Sequence, residues 1–92
     1  MDSEKVIEKQ LREKIKSLGG WSIKMEANYL SGLPDRICLL PGGIIFFVEL
    51  KSEGKKPSKI QLYVHRKLSN LGFNIFVIDS IVELKKMINR YE

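Results

Sequence analysis

Three residues in the middle of the chain set two acids and a base at strand spacing: Asp35, then Glu49 and Lys51. Asp35 opens the stretch Asp35-Arg36-Ile37-Cys38-Leu39-Leu40. Ile44-Ile45-Phe46-Phe47-Val48-Glu49-Leu50-Lys51 is apolar until its end. Both read as strands, joined by a tight turn at Pro41-Gly42-Gly43. Strand residues two apart share a face, so Glu49 and Lys51 project together. If the turn is a three-residue hairpin loop, Leu40 faces Ile44, and counting back sets Asp35 opposite Glu49. Directly opposed residues have Cβ atoms roughly 5 Å apart, and two carboxylates there repel unless a cation sits between them. Carboxylate oxygens bind Mg²⁺ at roughly 2.1 Å, with water and phosphate filling the other positions. The hairpin end therefore reads as half of a divalent-metal site with an ammonium beside it. A four-residue loop would instead set Leu50 opposite Asp35.

Pro34-Asp35 followed by Glu49-Leu50-Lys51 resembles the PD-(D/E)xK nuclease superfamily. The surroundings sharpen the match. Gly32-Leu33-Pro34-Asp35-Arg36, Leu40-Pro41-Gly42-Gly43, Val48-Glu49-Leu50-Lys51, Lys56-Pro57-Ser58 and Gln61 resemble the VRR-NUC family of virus-type replication and repair nucleases. The resemblance runs from about residue 4 to residue 79. It implies a small restriction-endonuclease-like core and metal-dependent phosphodiester hydrolysis, with Asp35, Glu49 and the Leu50 carbonyl as metal ligands. It implies that a glutamate of the first helix, Glu8 or else Glu4, completes or supports the metal shell. It also implies an active-site place for Gln61. Lys51 would orient the attacking water, take its proton or stabilise the charged phosphorane; the sequence leaves these open, as it does one metal or two. Oxygen donors suit Mg²⁺ or Mn²⁺ rather than zinc. For standalone members the resemblance implies homodimers that cut branched DNA such as four-way junctions.

The elements that must position these residues follow from periodicity. Residues 3–18 read as an amphipathic helix with the stripe Ile7, Leu11, Ile15, Leu18; Ser3 is its N-cap and Gly19-Gly20 its end. Glu8 lies at the edge of the stripe. Residues 21–26 alternate as a half-buried strand, with Lys24 facing away from Trp21, Ile23 and Met25. Lys24 is either a solvent-facing lysine or a phosphate contact. Residues 27–32 form a loop with little pattern that leads straight to Asp35. Arg36 points away from the Asp35 face, to DNA or to solvent, and Cys38 reads as a small core residue. The loop 52–57 leaves directly from Lys51, so Lys55 and Lys56, with Lys59 beyond them, are candidate DNA contacts beside the site. Ser58-Lys59-Ile60-Gln61 is a capping box, so Gln61 can close the helix, serve the site, or do both. That helix spans about residues 59–71, with Ile60, Val64, Leu68 and Leu71 as its apolar face. His65, the one histidine, reads as structural or near-surface, with a DNA contact as the alternative. Residues 73–79 read as a strand buried on both faces. Ser80 with Glu83 forms a second capping box before a helix over about residues 81–90, which buries Ile81, Leu84, Ile88 and Tyr91. The predicted order is α-β-β-β-α-β-α, an α/β layer with helices packed on a mixed sheet.

Composition sets the outer bounds. Ninety-two residues make one small domain, 1–92, with one core. The chain is 43% hydrophobic and 29% charged, enough apolar content for a core and enough charge for solubility. No apolar run approaches the ~20 residues of a membrane span, and no basic-then-apolar leader is evident. Cys38 alone excludes an internal disulfide and a cysteine zinc cluster. The expected compartment is the cytoplasm of a bacterial cell, with phage encoding implied by the resemblance. A net charge of +5 fits a polyanionic partner. Two other readings compete with a nuclease: a nuclease fold that binds nucleic acid without cutting it, and a basic α/β protein whose acids form ion pairs. A dimer interface is not legible; exposed apolar residues of the last helix are the only guess.

Overall fold

The first helix starts where a serine can satisfy an orphan amide. In the computed structural model, which describes residues 2–26 and 28–92, Ser3 Oγ accepts from the Val6 N–H at 3.2 Å and opens α1 (Glu4–Ser17). Then follow β1 (Trp21–Lys24), β2 (Arg36–Leu40), β3 (Ile44–Leu50), α2 (Lys59–Asn70), β4 (Asn74–Ile78) and α3 (Ile81–Asn89), the predicted order. Of the loop at 27–32, Ala27 lies outside the described residues.

The hairpin turn has the expected length, with Leu40 opposite Ile44. Gly42 and Gly43 take φ of +86° and +77°, a region that costs glycine little and other residues much. The sheet order is β1-β2-β3-β4. The first three strands are antiparallel, and β4 runs parallel to β3 after the α2 crossover.

Alternation along the strands separates two faces. One carries Cys38 and Leu40 of β2, Phe46, Val48 and Leu50 of β3, and Ile78 of β4. These meet Ile7, Leu11 and Ile15 of α1 and Leu84, Met87 and Ile88 of α3 in one buried cluster. Each large side chain buried there contributes roughly 1.5–3 kcal/mol relative to exposure. Tyr91 stacks on Phe46 at 4.3 Å between ring centroids and closes the cluster. The other face carries the cross-strand rows Trp21–Leu39–Ile45 and Ile23–Ile37–Phe47–Ile75. Here α2 packs on the β4 side.

That half-covered face explains where the structure departs from the periodicity. Trp21 is 67% exposed rather than half-buried, because β1 is an edge strand. β4 is the opposite edge, so it is not buried on both faces, and its Val77 is 40% exposed. On α2, Val64 is buried but Ile60 and Leu71 are exposed. At α3, Ser80 Oγ accepts the Glu83 N–H at 3.1 Å, yet the Glu83 carboxylate pairs with Lys86. A separate helix-start donor, the Ile81 N–H, goes to Asp2 Oδ2 at 2.8 Å. Among the described residues no helix is long and apolar enough to cross a membrane.

Candidate active site

The register of the hairpin decides the first contact. β2 and β3 pair as far as Arg36 with Val48, and one more step brings Asp35 opposite Glu49, as the three-residue loop predicts. Asp35 is fixed from two sides. Its carbonyl accepts the Met25 N–H at 2.8 Å, and its Oδ2 accepts the Leu50 N–H at 2.6 Å. The approach to it is equally constrained. Gly32 has φ +92°, and a Cβ there would lie 2.7 Å from the Ile60 carbonyl oxygen and 2.9 Å from Val64 Cγ2. The loop before Asp35 is thus pressed against α2, which a side chain at residue 32 would prevent.

Glu49 is 1% exposed. Its Oε2 accepts from Gln61 Nε2 at 3.0 Å and lies 3.3 Å from Lys51 Nζ. Lys51 Nζ donates to Gln61 Oε1 at 3.0 Å. The same Oε1 accepts the Ser58 N–H at 2.8 Å, while Ser58 Oγ accepts the Gln61 N–H at 3.2 Å. Gln61 thus closes the capping box of α2 and at the same time hydrogen-bonds Glu49 and Lys51 at the end of β3. Among the described residues Glu49 Oε1 has no hydrogen-bond partner; it faces His65 Nε2 at 3.6 Å, which has none there either.

The electrostatics follow from that burial. The Glu49 carboxyl is pushed up to about 7, first by loss of water and then by the Asp35 charge, against the pull of Lys51. Burial, and next the Lys51 charge, hold His65 below its ordinary value, with Asp35 opposing. A buried carboxylate with one oxygen unpartnered, opposed by a second carboxylate, is the arrangement a divalent cation relieves. Asp35 and Glu49, with the Leu50 carbonyl that the resemblance adds, offer oxygen donors only, the chemistry that suits Mg²⁺ or Mn²⁺.

Glu8 is placed elsewhere. Its Oε2 accepts from Arg36 Nε at 3.3 Å and Nη2 at 3.1 Å, and Arg36 Nη1 donates to the Ser22 carbonyl at 3.3 Å. Arg36 is only 7% exposed, which corrects the expectation that it reaches DNA or solvent. The reason is alternation: as Asp35's neighbour, Arg36 turns to the sheet face that α1 covers. A buried guanidinium there needs a carboxylate, and Glu8, at the edge of the α1 stripe, supplies it. Among the described residues no group of three or more His, Cys, Asp or Glu side chains is assembled for a metal. Glu8 therefore does not join Asp35 and Glu49. Glu4 stays exposed in the first turn of α1.

The remaining candidates lie on the surface. Lys24 is exposed at the end of β1, in register with Arg36. Lys55, Lys56 and Lys59 are exposed around the loop after Lys51, which is tied down by the Gly54 N–H to Asp79 Oδ2 at 3.2 Å. His65 is 8% exposed, in keeping with its structural reading, and it faces Glu49, a contact the sequence did not name. The usable signal was its spacing from Gln61, since residues four apart share a helix face. Cys38 is the core residue expected. Burial pushes its thiol up to about 11, so it is no nucleophile.

No family model matches the chain. It is 42% identical over 74 residues to "Putative nuclease p44" of Acyrthosiphon pisum secondary endosymbiont phage 1, a stretch covering 80% of each protein. A solved structure described as a VRR_NUC domain superposes with a TM-score of 0.89 at 34% identity, covering 99% of this chain and 100% of that one. Likeness at this level extends over the hairpin, its turn and the capped helix that carry Asp35, Glu49, Lys51 and Gln61, and the chain belongs to the VRR-NUC family.

Proposed function

We propose that the protein is a metal-dependent, structure-specific deoxyribonuclease, one nuclease domain over residues 1–92, that cuts branched DNA such as four-way junctions as a homodimer in the bacterial cytoplasm. The observation that carries the reading is the convergence of Asp35, Glu49, Lys51 and Gln61 on one point, with Glu49 Oε1 buried and unpartnered. Asp35, Glu49 and the Leu50 carbonyl would hold Mg²⁺ or Mn²⁺. When bound, the ion polarises the phosphate and lowers the pKa of water.

The chain's own groups do the rest. Lys51 Nζ, held by Gln61 Oε1 and Glu49 Oε2, retains a third donor for a phosphoryl oxygen or the attacking water. Water forms the new P–O bond and gives up a proton to solvent, the bond to the leaving deoxyribose oxygen breaks, and that oxygen takes a proton from solvent. Gln61 fixes the carboxylate and the ammonium in one geometry, so little reorganisation is needed during the reaction. Glu8 acts at one remove, by holding Arg36 behind Asp35. Lys24, Lys55, Lys56 and Lys59 are free to meet the DNA backbone. The family resemblance supports branched substrates and a dimer. A four-way junction offers two equivalent strands, and a two-fold pair of sites matches them. On α3 the exposed apolar side chain is Val82, with Leu84, Met87 and Ile88 buried, so that helix alone is a thin basis for the interface.

The test is cleavage of a labelled four-way DNA junction with Mg²⁺ or Mn²⁺, beside a matched duplex and the Lys51→Ala variant. Paired symmetric cuts are expected in the junction, falling at least about 100-fold in the variant. Binding without cutting would establish the non-cleaving module instead. Cutting that survives Lys51→Ala would remove the active site from this hairpin.

A further inference from the structure

The sheet face opposite α1 and α3 is covered over only part of its width. Trp21, Leu39 and Ile45 form one cross-strand row of that face, and Ile23, Ile37 and Phe47 form the next. On the β4 side α2 packs over it, and Phe47 is 7% exposed. Toward β1 the cover stops. Ile45 is 40% exposed and Trp21 67%, while Ile23, Ile37 and Leu39 are half-buried. These five side chains are contiguous by register, and none carries a charge. Apolar residues scattered singly over a surface need no explanation, but a contiguous patch does. The pattern of β2 sharpens the point. Ile37-Cys38-Leu39-Leu40 is an unbroken apolar run, which belongs to a strand covered on both faces; a strand with one face in water alternates. Here α1 and α3 cover one side, and the chain itself leaves the other open.

We infer that this open half-face is where a second copy of the chain docks, the two sheets facing each other about 10 Å apart across a two-fold axis. An interface built on a two-fold axis must complement itself. An uncharged apolar surface does so, because it sets no like charges against each other. To a polyanion it offers nothing, since no cation stands in either row. The area agrees. The five side chains leave on the order of 400 Å² of apolar surface in water. A standard interface takes ~800 Å² from each partner, a little over half of it apolar and the rest a polar rim. The inference rests on the reading of a dimeric nuclease only for what the pair does. Leu39, at the middle of its row, is four residues from Asp35, about 13 Å at strand rise. The hairpin ends therefore lie outside the contact, and docking leaves both sites open to DNA.

Trp21 is the one tryptophan in the chain, so its fluorescence reports the patch directly. Analytical ultracentrifugation of the full chain should show a monomer–dimer equilibrium in the micromolar range or tighter. Tryptophan emission should move to shorter wavelength as the dimer forms. Ile45→Lys sets a charge into the self-paired face and should weaken the dimer at least about tenfold, with the circular dichroism of a folded chain. Ile45→Val should dimerise as the parent does, and so should Val82→Lys on α3. If Ile45→Lys does not fold, the concentration dependence of the parent's emission decides. A parent that is monomeric across the micromolar range overturns the inference. So does a dimer whose emission does not move, or a folded Ile45→Lys that dimerises as the parent does. An emission shift produced by a single-stranded oligonucleotide but not by protein concentration overturns it in favour of a nucleic-acid platform. Loss of the dimer in Val82→Lys and not in Ile45→Lys overturns it in favour of α3. A dimer through this face that cuts no junction would refute the nuclease reading and leave the interface; a monomeric parent that cuts would do the reverse.

Discussion

Glu49 is the carboxylate buried in the candidate site, and its burial has a consequence for pH. In metal-free protein its carboxyl lies at about 7 instead of 4.5. Between those values the folded chain holds a proton that the unfolded chain has released. The contribution of this group to stability is therefore fully present below about 4.5 and is lost as pH rises through 7. By linkage the loss is on the order of 3 kcal/mol. Urea denaturation in EDTA from pH 5 to 8 should show that decline, and Glu49→Gln should flatten it. Adding Mn²⁺ should oppose the decline, with the larger stabilisation at pH 8, where the ion does not compete with a proton. His65 is the second residue whose role becomes testable. It faces the unpartnered Glu49 oxygen from one helical turn beyond Gln61. His65→Leu should lower metal affinity or cleavage by about 10- to 100-fold, as loss of a group that orients a ligand does. Titration of Mn²⁺ into both proteins measures it, and unchanged affinity with unchanged cleavage would leave His65 a packing residue.

At the scale of elements, the site is the meeting of a hairpin end with a helix N-terminus. The hairpin provides Asp35, Glu49 and Lys51, and α2 provides Gln61 through the same capping box that starts it. The two are held in contact by the loop that passes α2 at Gly32. A methyl group there meets the Ile60 carbonyl and Val64, and the positive φ adds strain. Gly32→Ala should therefore cost at least about 1–3 kcal/mol and reduce cleavage beyond the loss of folded protein, since Asp35 moves with the loop. Thermal denaturation alongside specific activity distinguishes the two effects. Sequence reading had both partners of this contact. It lacked the contact itself, because nothing local links residue 32 with residues 60 and 64.

For the whole molecule, the sheet separates two kinds of charge. Asp35 and Glu49 share the face that α2 covers in part, while Arg36 and Glu8 form an ion pair on the side of α1. This pair ties the first helix to the sheet. Breaking such a pair leaves an uncompensated guanidinium, at a cost of about 3–5 kcal/mol when fully buried; Glu8 is partly exposed, so the lower end applies. Glu8→Gln should lower the melting temperature while the folded fraction keeps its Mn²⁺ affinity. A variant that melts normally but has lost the metal would return Glu8 to the active site.

Periodicity and capping signals determined the element order, the hairpin register and the convergence of Asp35, Glu49 and Lys51. These depend on neighbours within one hairpin or one helical turn, and local backbone geometry is written in local sequence. Gln61's capping role was legible for the same reason, in the box Ser58-Lys59-Ile60-Gln61; its nearness to Glu49 was an expectation of the family resemblance. Tertiary structure decided what depends on which face is covered. Trp21 and Val77 are exposed because their strands are edges and α2 covers only part of one face. His65 is buried against Glu49, and Arg36 is buried against Glu8, 28 residues away in the chain. Alternation assigns a side chain to a face; only packing decides whether that face meets water, a helix or a charge.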